Sequence, residues 1–215
     1  MKEKLFNQGY FLEKLDIPLN VLCQARSIKQ KDLNWCIGCD SEKNVLRIPA
    51  AYSQVASFRP VIKIAMKSKL ISEIFNGTQI LNFSLFRQPF RGFGSQKLHR
   101  DNNNETNEII GFISLDKINS FNGPLELKPY SHTKNSKFQY PKKKIKMIPG
   151  NIIWYLPKLE HRGTKNLSGE TRRVIIISVT NKILHPEDIF DERKLLKKSK
   201  YKADDLQILL QLNGF

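Results

Sequence analysis

Two short segments of the chain carry side chains of the types that bind metal ions. His99 and Asp101 place an imidazole and a carboxylate two residues apart. If residue 99 begins a strand, side chains 99 and 101 point to the same face and reach one metal ion. His161 follows a strand-like segment, residues 152–156, and is a candidate third ligand. Two histidines and one carboxylate on one face of a metal leave three positions open to reacting ligands.

An arginine lies close enough in sequence to serve the same site. Arg172 stands eleven residues after His161, at the start of the apolar run 174–179. Its planar guanidinium suits a carboxylate, which it binds through two parallel hydrogen bonds. Arg173 is the adjacent alternative, and on a strand only one of the two points inward. A facial triad with a carboxylate-binding arginine is typical of non-haem iron(II) oxygenases that use 2-oxoglutarate.

Helices followed by many short strands would have to position these residues. Residues 65–75 have helical periodicity and end at Asn76-Gly77, a common C-terminal stop. Short apolar or alternating runs with turn signals between them then predict strands. They are residues 80–86, 108–115, 125–127, 144–148, 151–156 and 172–180. We therefore expect a mainly β fold with flanking helices, a double-stranded β-helix of the jelly-roll, cupin-like form.

The pattern predicts one domain over residues 1–215. Its parts are a helical N-terminal region over 1–77, a β-helix core over about 78–181 and a helical tail over 182–215. The 40% hydrophobic content is enough for a real core. No run approaches the roughly 20 apolar residues of a membrane span. The polar N-terminus lacks the pattern of a secretory signal, so we expect a cytoplasmic protein.

Four sequence blocks, in order, resemble the phytanoyl-CoA dioxygenase-like family of iron(II)/2-oxoglutarate oxygenases. Residues 96–101, QKLHRD, resemble its metal motif, and residues 122–132, NGPLELKPYSH, resemble a segment of the type NGxLxxxPGSH. Residues 149–151 lead through a strand to His161, and residues 161–173 resemble the HxxxxN(x)₅R stretch. The resemblance covers about residues 64–181. It departs from the family at Tyr130, where a glycine is usual, and in the short segment between Asp101 and His161.

The resemblance implies a set of residue roles and a reaction. His99, Asp101 and His161 would ligate iron(II), Arg172 would hold 2-oxoglutarate, and Gln96 would offer the cosubstrate a further polar contact. No catalytic residue beyond this metal site is implied. With O₂ as the second cosubstrate, the enzyme would hydroxylate its substrate and release succinate and CO₂. Asp101 favours hydroxylation, since in halogenating relatives this carboxylate is replaced.

Other chemically interesting residues have simpler interpretations. His132 is a rival third ligand that we expect to be structural, and His185 is expected at the surface. Trp154 and Tyr155 are expected in the core and the wall of the site. The cysteines are Cys23 and a lone CxxC pair, Cys36 and Cys39. Three cysteines are too few for a disulfide framework, and one pair is too few for a structural zinc site. Phe83, Phe86, Phe90 and Phe93 are candidates for the lining of a substrate pocket, although the spacing favours core packing for residues 83 and 86.

The net charge of the protein favours anionic partners but does not identify one. The charge of +16, from 36 basic and 20 acidic residues, attracts polyanions. We expect a small-molecule or carrier-linked substrate, with an anionic one mildly favoured, and nucleic acid as the less favoured partner. Three alternatives stay open: a nucleic-acid-directed 2-oxoglutarate oxygenase, a non-catalytic basic binding module on the same fold, and a cupin-type metalloenzyme. The sequence does not indicate an oligomeric state.

Overall fold

A computed structural model describes residues 1–28, 44–102, 107–133 and 140–181. The helices are α1 (Lys2–Gln8), α2 (Leu19–Arg26), α3 (Ala51–Gln54), α4 (Arg59–Met66) and α5 (Lys69–Phe75), and a 3₁₀ turn, Ala56–Phe58, precedes α4. The strands are β1 (Tyr10–Lys14), β2 (Val45–Pro49), β3 (Ile80–Pro89), β4 (Glu108–Ser114), β5 (Leu125–Leu127), β6 (Lys143–Ile145), β7 (Asn151–Tyr155), β8 (His161–Gly163) and β9 (Val174–Thr180).

The strands form two antiparallel sheets. The major sheet has six strands in the order β1-β7-β4-β9-β3-β2, and the minor sheet has three in the order β6-β5-β8. Side chains of both sheets share one apolar cluster, in which Phe112 and Val174 of the major sheet meet Leu125 and Leu127 of the minor sheet. Two packed antiparallel sheets with these crossovers confirm the predicted mainly β, jelly-roll fold with flanking helices.

The major sheet is buried on both faces. Along β9, Ile175, Ile177 and Val179 pack against the helices in one large cluster. Val174 and Ile176 point to the opposite face, toward the minor sheet. Because successive strand residues alternate in direction, a strand covered on both sides has a continuous apolar sequence. This explains why residues 174–179 are almost uniformly apolar.

The helical segment before the barrel is divided differently from the prediction. A single helix over residues 65–75 was expected, but α4 ends at Met66 and α5 begins at Lys69. The hydroxyl of Ser68 caps α5 by accepting a 3.2 Å hydrogen bond from the Ile71 amide. The predicted stop is confirmed, since Asn76 ends α5 in the left-handed conformation with a φ of 52°. None of the helices in the described ranges has the length and apolar character that crossing a membrane requires.

The N-terminal region contributes two strands that the sequence did not reveal. β1 pairs with β7 and β2 pairs with β3, so each lies at one edge of the major sheet. Both are short and carry charged residues, which weakens the alternating pattern by which strands are recognised. The Trp154 indole donates a 2.7 Å hydrogen bond to Glu13 and fastens β1 to β7. The expected helical tail and the single-domain division stay predictions, since residues 182–215 lie outside the described part.

Gly111 gives a test of side-chain packing on the helix-facing side of the major sheet. It lies opposite Trp154 in β4, and a Cβ there would be 2.5 Å from the indole and 2.9 Å from Ile152. We expect Gly111→Ala to lower the free energy of unfolding by about 1–3 kcal/mol through overpacking. Gly169→Ala is the matched control, because no atom lies within 4 Å of the added carbon. Equal denaturant midpoints for the two variants would contradict this packing.

Candidate metal centre

His161 lies in the first position of β8, on the face of the minor sheet that points to the major sheet. Its side chain is buried, with 4% of the residue exposed. Nδ1 is 2.9 Å from the carbonyl oxygen of Leu159, which can only accept a hydrogen bond, so Nδ1 carries the proton. Burial lowers the pKa of the imidazole and favours its neutral form. The unprotonated Nε2 is therefore available as a metal ligand.

His99 is held beside His161 by the backbone. The two residues form a reciprocal bridge in which the His99 amide donates to the His161 carbonyl at 3.0 Å and the His161 amide donates back at 2.9 Å. The ring centroids are 4.5 Å apart. The Nδ1 atom of His99 lies 2.8 Å from the Lys97 carbonyl, so its Nε2 is also the unprotonated nitrogen.

Asp101 completes a cluster of three ligating groups. Its carboxylate oxygens lie 3.6 Å from Nε2 of His99 and 3.5 Å from Nε2 of His161. The candidate ligand atoms of the three residues all lie within 4.8 Å of one another. Metal bonds of about 2.0–2.2 Å put neighbouring ligand atoms roughly 3 Å apart, so a small contraction suffices for one ion. The arrangement fits a two-histidine, one-carboxylate facial triad.

The way in which residues 99 and 101 reach the same point differs from the prediction. Strand alternation was expected, but His99 forms only an isolated bridge and Asp101 lies in a bend. The Asp101 amide donates a 3.0 Å hydrogen bond to the Pro157 carbonyl, which turns the chain toward His161. The bridge to His161 therefore positions His99, and the hydrogen bond to Pro157 positions Asp101.

Tyr155, the last residue of β7, fixes the carboxylate. Its hydroxyl is hydrogen-bonded to Asp101, and burial together with that negative charge raises the phenol pKa well above 10. The hydroxyl therefore keeps its proton and donates to Asp101. The ring also packs against His161, with centroids 4.6 Å apart. The sequence interpretation placed Tyr155 in the wall of the site and missed this contact.

A cavity of about 730 Å³ opens in front of the three side chains. Its apolar wall comes mainly from the major sheet and includes Phe83, Leu85, Ile110, Phe112 and Ile176. Its polar wall includes Arg47, Arg87, Gln96 and Lys165. Phe86 faces the other side of β3 and stacks on Phe58 at a centroid distance of 5.0 Å. The volume lies in the range of small-molecule sites, about 300–1,000 Å³.

Arg172 is fully buried just before β9. Its guanidinium carbon lies 5.3 Å from the centroid of the Phe112 ring, one side chain behind the cavity wall. Neither Nε nor either Nη atom has a hydrogen-bond partner. Burial, with the charge of Arg87 adding, lowers the pKa of Arg172 to about 9. An unpaired buried guanidinium is costly, so the site is suited to an anionic ligand that supplies the missing acceptors.

Arg173 and Gln96 have other partners. Arg173 points out of the sandwich and binds Asp116 through two hydrogen bonds of 2.8 and 2.9 Å, so of the two arginines Arg172 is the inner one. Gln96 lines the cavity, and its Oε1 accepts a 2.8 Å hydrogen bond from the Gly163 amide. A Cβ on Gly163 would lie 2.7 Å from that oxygen and 2.9 Å from Nη1 of Arg87. Glycine is therefore needed for both side chains to approach β8.

The remaining candidates lie away from the cluster. Nε2 of His132 lies 2.8 Å from the Phe6 carbonyl, so this histidine joins α1 to the barrel. Tyr130, which replaces the usual glycine, adopts a φ of 65° in the left-handed region where glycine is normally preferred. Cys23 is exposed with a free thiol. Cys36, Cys39 and His185 lie outside the described residues.

The match to known families agrees with this geometry. The model of the phytanoyl-CoA dioxygenase (PhyH) family matches residues 41–174, more than half of the 215 residues. The chain belongs to the phytanoyl-CoA dioxygenase family. The family resemblance predicted from the four sequence blocks is thereby confirmed. No curated protein sequence matches the chain.

Solved structures share the fold at low identity. AviO1 from Streptomyces viridochromogenes Tue57 is 17% identical with a TM-score of 0.65, covering 86% of this chain and 95% of its own. The 2-oxoglutarate-dependent epimerase SnoN from nogalamycin biosynthesis is 10% identical with a TM-score of 0.68, covering 84% and 81%. HygX from Streptomyces hygroscopicus, solved with nickel and 2-oxoglutarate, is 13% identical with a TM-score of 0.67, covering 84% and 86%.

The unpaired charge of Arg172 has a measurable effect on stability. We expect Arg172→Met to raise the free energy of unfolding of the ligand-free protein by on the order of 1–4 kcal/mol, because an apolar side chain replaces a buried charge. Arg173→Met should instead destabilise the protein, since it leaves Asp116 without its bidentate partner. Both are measured by urea unfolding. A less stable Arg172→Met variant would show that the guanidinium has a stabilising partner.

Proposed function

We propose that the protein is an iron(II)- and 2-oxoglutarate-dependent dioxygenase that hydroxylates a small molecule. The observation that carries the proposal is the pairing of two features across one cavity. One is the convergence of His99, Asp101 and His161 within 4.8 Å, and the other is the unpaired, fully buried guanidinium of Arg172. A ligand with a metal-chelating end and a far carboxylate fits both, and 2-oxoglutarate is such a ligand.

The residues of the site would bind the metal and the cosubstrate separately. His99, Asp101 and His161 would hold the metal, and Arg172 would bind the far carboxylate of the cosubstrate. When bound, iron(II) and 2-oxoglutarate supply the oxidation of a C–H bond by O₂, with succinate and CO₂ as the other products. Because Arg172 is fully buried, side chains between it and the cavity, Phe112 among them, must shift for the carboxylate to reach it.

The side chains around the metal would set its geometry. The carbonyls of Lys97 and Leu159 keep both imidazoles in the tautomer that offers Nε2. Tyr155 orients the Asp101 carboxylate. Gln96, expected to contact the cosubstrate, has its amide oxygen engaged by Gly163, so only its amide nitrogen would be available to that ligand. The apolar wall would exclude water from the oxidised carbon.

Small molecules are favoured as substrates by the cavity, because its volume of about 730 Å³ lies in the range of small-molecule sites. SnoN has been solved with iron, α-ketoglutarate and nogalamycin RO. SnoN is an epimerase, and SnoK, a structural neighbour from the same nogalamycin biosynthesis, is a carbocyclase. Hydroxylation is therefore our proposal for the outcome, and epimerisation or ring closure are the outcomes that product analysis would reveal in its place.

The metal and cosubstrate are tested together by anaerobic titration with iron(II) and then 2-oxoglutarate. We expect a weak visible charge-transfer band from the chelate. His161→Ala should abolish the band, whereas His132→Ala should retain it. Arg172→Met should keep iron binding and lose 2-oxoglutarate affinity at least tenfold. Absence of the band in wild-type protein supplied with iron would favour the non-catalytic basic binding module.

Tyr155 gives a separate test of how the triad is supported. Tyr155→Phe removes the hydrogen bond to Asp101 and leaves the ring packed on His161. We expect iron(II) affinity to fall about 10–100-fold, the usual effect of losing a partner that orients a ligand. Competition with a coloured chelator measures this. Tyr130→Phe, whose ring packs on Tyr140 instead, is the control, and an unchanged affinity in Tyr155→Phe would remove the supporting role.

A further inference from the structure

A second buried arginine faces the cavity from β3. Arg87 follows Phe83 and Leu85 at the period of a strand, and all three line the cavity. Only 8% of Arg87 is exposed. Its Nη2 donates to the Gly94 carbonyl at 3.2 Å, and its Nη1 lies near the Cα hydrogens of Gly163. The guanidinium is thus fixed at one edge and open to the cavity at the other.

The neighbour of Arg87 on the adjacent strand has the same charge. Arg47 of β2 lies directly opposite Arg87 in the register, and it also lines the cavity. Burial and the charge of Arg47 lower the pKa of Arg87 to about 10. Like charges directly opposite one another on neighbouring strands repel each other.

Two half-buried arginines of the barrel, Arg162 and Arg173, each have an acidic partner, unlike the buried Arg87. Arg162 pairs with Glu126 and Arg173 pairs with Asp116, both at 2.8 Å. Within the described ranges, no carboxylate forms an ion pair with Arg87, which donates instead to the neutral carbonyl of Gly94. The cavity is therefore electrostatically divided. Asp101 lies at the metal end, and Arg47 and Arg87 lie on the β2–β3 side.

We propose that Arg47 and Arg87 form an oxyanion subsite for the substrate, which is therefore a small molecule carrying a carboxylate, sulfate or phosphate group. Two adjacent guanidinium groups suit such a group, since each donates paired hydrogen bonds. The inference deepens the proposed function, because it assumes that the metal and Arg172 hold the cosubstrate and leave Arg87 to the substrate. Bound there, the anionic group would hold the rest of the substrate in the cavity that the triad faces.

The test is calorimetric titration of protein loaded with nickel(II) and 2-oxoglutarate, using inorganic phosphate, sulfate and acetate as probes. Nickel replaces iron so that no turnover occurs. We expect at least one anion to bind at a single site, and the preferred anion identifies the group. Arg87→Gln should weaken this binding at least tenfold, and Arg47→Gln should weaken it less, because that residue is more exposed. Arg87→Lys should retain part of it.

Controls separate the subsite from the field of the whole protein and from the cosubstrate site. Lys63→Gln removes one charge from the exposed face of α4 and should leave anion binding unchanged. Arg87→Gln should melt no lower than the wild type and should keep its 2-oxoglutarate affinity, which Arg172→Met loses. If no probe binds, or if Arg87→Gln binds it as wild type does, the proposal is wrong. If Arg87→Gln loses 2-oxoglutarate as Arg172→Met does, Arg87 belongs to the cosubstrate site and the proposal is also overturned.

Failure of the oxygenase proposal would give a different result. The same titration on metal-free protein without 2-oxoglutarate should still show Arg87-dependent anion binding, since Arg47 and Arg87 are placed by the β2–β3 pairing and not by a metal. Anion binding without a chelate band would retain the subsite and remove the oxygenase. A chelate band without anion binding would retain the oxygenase and remove the subsite.

Discussion

The alternation of side chains along the strands of the major sheet is the constraint on which the core and the site depend. In β9, Ile175 and Ile177 face the helices while Val174 and Ile176 face the minor sheet. The same alternation, continued back before the strand, sends Arg172 inward and Arg173 outward to Asp116. A shift of one residue would exchange the faces and bury Arg173 in place of Arg172. The register that makes the core therefore also selects the inner arginine.

The minor sheet supplies the second half of the centre through one strand of three residues. Residues 161 and 163 of β8 face the same side of the sheet. The strand therefore provides a metal ligand at His161 and, beside it, space without a side chain at Gly163. Gln96 and Arg87 occupy the space at Gly163, while His99 is bridged to His161. The loop after β3 thus closes on β8 through backbone contacts at residues 96 and 99. The geometry of the metal ligands and the position of Arg87 are therefore coupled through the contacts that residues 96 and 99 make with β8.

The features that local patterns encode could be predicted from the sequence. The fold class follows from the succession of short strands and turn residues, and the candidate ligands follow from the motif at His99 and the block at His161. Features that depend on pairing between distant segments were missed. β1 and β2 are recognisable as strands mainly through their partners β7 and β3. Arg87 lies four residues after Phe83, so the period of a strand already places both side chains on one face. That Arg47 lies beside Arg87 is apparent only from the pairing of β2 with β3.

The arginines show how function and stability oppose one another in this fold. Arg172 lies in the apolar interior with no acceptor, and Arg87 lies beside another positive charge. A sequence selected for stability alone would place apolar side chains at both positions, since uncompensated buried charge is costly. Both guanidinium groups instead lie in or directly behind the wall of one cavity that also holds a candidate metal triad. The loss of stability caused by these buried charges has a physical explanation if anions bind in the cavity. Each anion then supplies hydrogen-bond acceptors that the protein itself does not provide. On that argument the ligand-free protein is the less stable form, and each bound anion adds stability that grows with the logarithm of its concentration relative to its Kd.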